Sequence, residues 1–247
     1  MKVVAVVQAR MGSTRLPGKV SMDIGGETCL SRVVRRLSRA TRIGQIVIAT
    51  TTSSADEVIV KIATNLAVEC FRGSERDVLS RYVGAAEKFD AGAVVRVTSD
   101  CPLIDPELAD QVVGEGVAGG IDFASNDGPP AYPRGLDVEF ATASALREAA
   151  RIALEPHHRE HVTPIFRERA DLFRTRVLGA EREYGRYRWT LDTPEDLELI
   201  RAIYAHFENR DDFTWRDVVA LMENSPHLLA INAHIMQKPV HQVEALH

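Results

Sequence analysis

The 247 residues, 45% of them hydrophobic, suffice for a substantial core, either one large α/β domain, the preferred reading, or two small ones. A balance of 30 basic against 35 acidic side chains gives a formal charge of −5, so the chain has no overall positive field to draw it to nucleic acid or anionic lipid. No apolar run approaches the roughly 20 residues that span a bilayer, and Cys29, Cys70 and Cys101 form no disulfide or zinc spacing, so the expectation is a cytoplasmic protein without membrane or nucleic-acid partner.

Met1 to Val7 leads directly into an apolar, β-branched run, Val3 to Val7, which reads as a central strand covered on both faces. A loop rich in Gly, Arg and Pro follows. Leu30, Val33, Val34 and Leu37 then recur at i, i+3, i+4 and i+7, the stripe of an amphipathic helix. Ile46 to Ala49 is a second buried strand; Val58, Ile59 and Ile62 mark a helix, Val68 to Phe71 a short strand, and Leu79, Tyr82, Val83 and Ala86 another helix. Ala93 to Val97 is the next strand. Asp105-Pro106 reads as an N-cap followed by proline at the first helical position, opening a helix through Leu108 and Val112. This alternation predicts a mainly parallel sheet with right-handed crossovers and helices on both faces.

The pattern loosens from Gly119 to Arg134, where Gly-Gly, Asp-Gly, Pro-Pro and Tyr-Pro-Arg-Gly predict turns and a long irregular connection. Beyond it, Asp137 to Phe140 reads as a strand, Leu146, Ala149, Ala150 and Ala153 as a helix, and Arg174 to Leu178 and Tyr187 to Leu191 as two strands. Thr193 to Asp196 opens a strong helix through Leu197, Ile200 and Tyr204, followed by a stripe of Trp215, Val218, Val219 and Met222. A domain over 1–232 is expected, with 233–247 as a tail lacking a readable period.

The chemistry concentrates after the first strand, in Gln8-Ala9-Arg10-Met11-Gly12-Ser13-Thr14-Arg15-Leu16-Pro17-Gly18-Lys19. Ligands of open parallel sheets bind beyond the carboxyl ends of strands, and this loop sits there. Gly12 and Gly18 let backbone N–H groups approach an anion, while Arg10, Arg15 and Lys19 match a polyphosphate. It is neither a Walker A loop, because five residues separate Gly12 from Gly18-Lys19 and Val20 replaces Ser or Thr, nor a GxGxxG loop. A solvated basic loop is the bland alternative, and position after the first buried strand favours phosphate binding.

The string Val7 to Lys19 resembles the signature loop of the CMP-sugar synthetase family, which includes CMP-KDO and CMP-sialic acid synthetases, and the whole chain most resembles its spore coat polysaccharide biosynthesis SpsF branch. The likeness continues through Ala49 to Thr52, Phe71 to Leu79, Asp100 to Asp105, Tyr132 to Glu139, Arg159 to Pro164 and Thr190 to Leu197. It implies a Rossmann-like, GT-A-like nucleotidyltransferase fold with a small antiparallel excursion, and a cytidylyltransferase that moves CMP from CTP to a sugar-type acceptor with release of pyrophosphate. CTP preference rests on this resemblance alone, since backbone groups around Val7 to Ala9 could read cytosine without a side-chain signature.

Asp100 lies just past the strand ending at Val97, and Asp192 just past Leu191, so two separated carboxylates could clamp Mg²⁺, or Mn²⁺ as a substitute, against a triphosphate. The resemblance implies that role for both. From sequence alone, the favoured reading is a cap of the helix begun at Pro194 by Asp192 or Thr193, with Asp196 completing a capping box, and Asp100 fits an ordinary turn; the paired motifs of the resemblance are what favour the metal role.

Arg15, Lys19, Asp100 and Asp192 are thus the candidate catalytic set. Gln8, Ala9, Arg10, Gly12, Ser13, Arg15, Lys19, Arg72, Gly73, Ser74 and Asp77 are candidates for the nucleotide. Tyr132, Arg134, Asp137, Glu139 and Arg159 are candidates for the acceptor, against the alternative of a solvated hairpin with a Tyr-Pro turn. His161 reads as a hydrogen-bonded residue at a helix start rather than a general base, His157 and His158 as surface residues, and Cys101 as a semi-buried bystander rather than a nucleophile. The resemblance also implies a homodimer. Two rivals stay open: a nucleotidyltransferase using another base with a sugar or polyol phosphate, and a nucleotide-binding subunit without turnover.

Overall fold

The computed structural model describes residues 1–236; the expected tail from 237 onward lies outside the described residues. Nine strands and ten α-helices are defined among them. The strands are β1 Val3–Gln8, β2 Asp23–Ile24, β3 Glu27–Thr28, β4 Gln45–Thr51, β5 Glu69–Gly73, β6 Ala93–Thr98, β7 Phe123–Ser125, β8 Glu139–Thr142 and β9 Thr175–Val177. The helices are α1 Cys29–Leu37, α2 Glu57–Asn65, α3 Val78–Lys88, α4 Pro106–Ala118, α5 Ala143–Ile152, α6 Pro156–His161, α7 Pro164–Glu168, α8 Pro194–His206, α9 Trp215–Asn224 and α10 Pro226–Asn232.

Seven strands form one sheet in the order β5-β4-β1-β6-β8-β7-β9, and within it β8 alone runs against the others. β2 and β3 form a separate antiparallel pair. The expected mainly parallel sheet with a small antiparallel excursion is therefore present. Its β1 is buried because side chains of one strand alternate between faces: Val3, Ala5 and Val7 enter one core with α1, α2 and α4, whereas Val4 and Val6 enter another with α3 and α5. A third core joins α8, α9 and α10 around Trp189, Tyr187, Tyr204 and Trp215.

The chain passes from β1 to β4 and β5 on one side, then returns to place β6 on the other side of β1. This reversal makes the ends of β1 and β6 a topological switch point, where two successive loops diverge and leave a crevice. Asp105 caps α4 by accepting from the amides of Glu107 and Leu108, with Pro106 at the first turn, as the sequence predicts.

Three departures are local. The segment 119–134 contains β7, which is too short to show a period and is fixed by its neighbours β8 and β9. The strand expected at Asp137 starts two residues later, at Glu139. Tyr187 to Leu191 is not a ladder strand: Arg188 makes an isolated parallel bridge to Arg134. Tyr187, Trp189 and Leu191 are nevertheless buried in the third core. The neighbouring chain includes Pro133, which has no N–H with which to extend a ladder.

Candidate active site

The loop that follows β1 is held from three directions. Ala9 donates to the carbonyl of Ala49 at 3.0 Å, Gly18 donates to that of Met11 at 3.2 Å, and the Met11 amide donates to Oδ1 of Asp56 at 2.8 Å. Gly18 has φ of +72°, which starts the short 3-10 turn Lys19–Ser21 and aims Lys19 back toward the sheet. Buried Asp56 also accepts from the hydroxyls of Thr50 and Thr51 at 3.0 and 2.5 Å, so one carboxylate ties the loop after β1 to the end of β4. Its pKa is lowered because these hydrogen bonds outweigh the raising effect of burial. Sequence reasoning missed Asp56; its spacing looks like an ordinary helix start.

The loops after β6 and before α8 meet through backbone. Leu191 donates to the carbonyl of Asp100 at 2.8 Å, which brings Asp100 and Asp192 to the same place although they are far apart in the chain. Lys19 Nζ lies 2.5 Å from Oδ2 of Asp100 and 2.8 Å from Oδ1 of Asp192. Arg15 reaches the same Oδ1 of Asp192 at 2.9 Å. The four residues expected to act together therefore converge at the switch point.

The electrostatics follow from that convergence. Burial opposes ionisation of Asp100, but the Lys19 ammonium outweighs it and its carboxyl is pushed down to about 2. Burial likewise works against the Lys19 ammonium, yet the charges of Asp100 and Asp192 keep its pKa above the ordinary value. Asp192 is also lowered, with Lys19 and Arg15 overcoming desolvation and the repulsion of Asp100.

The orientation of Asp192 has its own support. Its Oδ2 is 2.8 Å from Arg188, whose guanidinium also binds Asp196 at 3.0 and 3.1 Å. Asp196, fully buried, accepts from the amides of Asp192 and Thr193, and Thr193 completes a capping box for α8. Asn232 of α10 donates to the Arg188 carbonyl and to Asp196 at 2.9 and 2.8 Å. The cap is thus made by Thr193, leaving Asp192 to face the loop. Arg188 was not singled out in the sequence, where it sits in an apparent strand.

The remaining nucleotide candidates line the β4–β5 side. Gln8 is near the Tyr82 hydroxyl at 3.4 Å, Arg10 faces Glu75 at 3.9 Å and Gly12 lies beside the same Glu75 carboxylate, whereas Ser13 accepts from the Leu16 amide within its own loop. Arg72 is held by protein: it donates to the carbonyls of Thr51 and Ser53 and pairs with Glu57. Gly73 packs against Phe71 and Arg81, and Ser74 accepts from the Asp77 amide at 3.0 Å. Asp77 is the N-cap of α3, accepting from Ser80 at 2.8 Å.

The acceptor candidates divide. The segment carrying Tyr132, Arg134 and Asp137 runs beside residues 187–190, with Arg134 donating to the Tyr187 carbonyl and accepting from the Trp189 amide. Asp137 Oδ2 accepts from the Gly135 amide at 3.1 Å and lies 3.9 Å from the Arg134 guanidinium. Desolvation raises the Asp137 carboxyl against the pull of Arg134. Tyr132 packs edge-on to Trp215. Glu139 and Arg159 are occupied elsewhere. The Glu139 carboxylate is half-buried in a pair with Arg96 and accepts from Thr163 at 2.7 Å, while Arg159 binds Asp77 and the carbonyls of Ala150 and Ala153 behind α3. Both serve as ties within the fold, to long-range partners that the sequence does not reveal.

Two histidine expectations also change. His161 is the last residue of α6, not a helix start, and His158 is buried rather than at the surface. Cys101 is a buried bystander, its thiol pushed well up by desolvation and the Asp100 charge.

A family profile described as cytidylyltransferase matches residues 4–219. An uncharacterized protein of Methanocaldococcus jannaschii is 34% identical over 248 residues, spanning 99% of this chain and 100% of that protein. The spore coat polysaccharide biosynthesis protein SpsF of Bacillus subtilis is 33% identical over 231 residues, spanning 91% and 95%. A solved cytidylyltransferase from Leptospira borgpetersenii serovar Hardjo-bovis has a TM-score of 0.89 at 33% identity, covering 97% of this chain and 100% of that one. The fold, the convergent loops and these likenesses agree, and the chain belongs to the cytidylyltransferase family.

Proposed function

We propose that this protein transfers CMP from CTP to a sugar-type acceptor used in cell-surface polysaccharide synthesis, releasing pyrophosphate, and that Arg15, Lys19, Asp100 and Asp192 form its reaction centre. The observation that carries this reading is the meeting of Lys19 Nζ with both carboxylates beyond the ends of β1 and β6. The SpsF relative supplies the polysaccharide context.

The same geometry tests the fit of a divalent cation. Two hard carboxylates already converge on one positive group, the Lys19 ammonium, which suits an oxygen-seeking ion such as Mg²⁺ or Mn²⁺ completed by phosphate oxygens. Asp100 and Asp192 would hold it, and when bound it supplies charge neutralisation at the α-phosphate.

The chain's own residues account for the rest. An acceptor oxygen forms a bond to the α-phosphorus as the bond to the pyrophosphate oxygen breaks. Once a triphosphate enters, Lys19 and Arg15 are placed to leave the carboxylates and take up charge developing on the β- and γ-phosphates. Arg188 and Asp196 keep Asp192 turned toward that point. Arg134 and Asp137, along the adjoining segment, border the acceptor space. A phosphate acceptor needs no base, whereas an anomeric hydroxyl must lose a proton. The reading includes a cytoplasmic homodimer, supported by the family resemblance; light scattering tests the assembly.

The deciding experiment is a pyrophosphate-release screen crossing four nucleoside triphosphates with eight- and nine-carbon ulosonic acids, sugar phosphates and polyol phosphates. CTP should be favoured with at least one acceptor. Nucleotide binding without pyrophosphate release for any pair would favour a binding subunit and overturn the reading.

A further inference from the structure

The two adjacent histidines of α6 converge on a single carboxylate at the end of α7. Nε2 of His157 lies 2.9 Å from one oxygen of Glu168, and Nε2 of His158 lies 2.6 Å from the other. Consecutive helical side chains normally diverge, yet these two rings sit 4.1 Å apart between centroids. One ligand atom from each of the three residues falls within 4.8 Å of the other two, and among the described residues no other group of three or more His, Cys, Asp or Glu is arranged this way.

We propose that His157, His158 and Glu168 bind one divalent transition-metal ion of the Zn²⁺ class and that this ion pins α6 to α7. Two imidazole nitrogens and one carboxylate oxygen form the mixed donor set that Zn²⁺, Co²⁺ or Ni²⁺ accepts, unlike the all-oxygen pair at Asp100 and Asp192, which suits a hard cation. Burial is graded across the site. The His158 side chain is 9% exposed and that of His157 20%, whereas Glu168 is 40% exposed. The imidazoles are therefore held in place by packing, while the carboxylate side stays open for the ion to enter and keep a water.

Nδ1 of His158 is buried with no hydrogen-bond partner among the described residues, so Nε2, 2.6 Å from Glu168, is the ring's one directed contact there. A bound ion takes the place of the proton shared between Nε2 and the carboxylate, and Glu168 exchanges its hydrogen bonds for a metal bond.

The site lies behind the nucleotide edge. α6 packs on α3 and carries Arg159, which holds both Asp77, the N-cap of α3, and the last carbonyls of α5. An ion joining α6 to α7 would fix the element that braces α3, a stabilising role outside the chemistry.

The test uses the full chain, stripped with a chelator and titrated with Co²⁺ and then Zn²⁺. One equivalent of Co²⁺ should develop visible d–d bands that Zn²⁺ abolishes, and Zn²⁺ should raise the melting temperature. In His157→Gln/His158→Gln, and separately in Glu168→Gln, whose amide is close in shape to the carboxylate it replaces, Zn²⁺ affinity should fall about 100-fold or more and the thermal shift should disappear. Asp100→Asn/Asp192→Asn should bind Zn²⁺ as the native chain does. Absence of Co²⁺ bands in the native chain, Zn²⁺ binding that survives Glu168→Gln, or its loss in the aspartate variant would each overturn the assignment.

Discussion

Lys19 and Asp100, 81 positions apart in the chain, meet at 2.5 Å, and the same ammonium reaches Asp192 at 2.8 Å. One flexible cation thus occupies the face that both carboxylates share. A site held this way is compact and charge-balanced, and a triphosphate offers Lys19 a competing set of anionic oxygens. Binding of the nucleotide and exposure of the carboxylates are then coupled through one side chain.

If that coupling operates, Lys19→Met removes a cation that competes with Mg²⁺ for the two aspartates. Calorimetric titration of the nucleotide-free variant should give Mg²⁺ affinity about tenfold or more above the native chain, because like charges no longer oppose each other there. Turnover should fall about 100-fold or more, since charge on the departing pyrophosphate loses its partner. Equal Mg²⁺ affinity in the two proteins would remove the competition from the account.

Asp100→Asn and Asp192→Asn keep side-chain shape but weaken the hold on a cation. Each should lower kcat by about 1,000-fold or more while circular dichroism stays native. Near-normal rates in Mg²⁺ for both variants would show that the carboxylates are not the metal ligands.

In the proposed reaction centre, Arg188 would act through Asp192. Arg188→Ala leaves Asp192 and Asp196 without their buried guanidinium and should cost about 3–5 kcal/mol in denaturant unfolding. Arg188→Lys restores one charge without the planar fork. It should recover much of the stability yet keep a depressed kcat with KM for CTP little changed. A kcat that recovers in step with stability would make the residue merely structural.

Gly135 adopts φ of +99°, and a Cβ there would lie 2.6 Å from the backbone carbon of Trp189. Backbone cannot yield as a side-chain tip can. Gly135→Ala should therefore lose about 2–4 kcal/mol and displace the segment leading to Asp192. Thermal melting and steady-state rates check both effects, and a neutral variant would mean that the loop relaxes freely.

Acid should uncover the Asp100 contribution. Its carboxyl titrates at 3.8 ordinarily and at about 2 in the folded chain, so between those values the unfolded chain binds more protons. The stabilisation is fully present above pH 4 and is lost as pH falls toward 2. Asp100→Asn lacks it, so the difference in unfolding free energy between native chain and variant should narrow across that interval. A difference that stays constant from pH 5 to 2 would contradict the depressed value.

What the sequence determined by itself was whatever is encoded within a few residues. The apolar run of β1, the stripe of α1, the Asp105-Pro106 start of α4 and the Thr193–Asp196 capping box all arise from local periodicity or from hydrogen bonds spanning three or four positions. The loop after β1 stood out as a candidate site because three cations and two glycines follow a buried strand. Tertiary structure alone decided what each charge does. Glu139 found Arg96 across the sheet, Arg159 found Asp77, Lys19 found Asp100, and Asp56 caught the Met11 amide from 45 residues away. An ion pair depends on where the sheet order and the crossovers bring two side chains, and burial then sets its strength. Neither quantity has a signature in the order of amino acids near either partner.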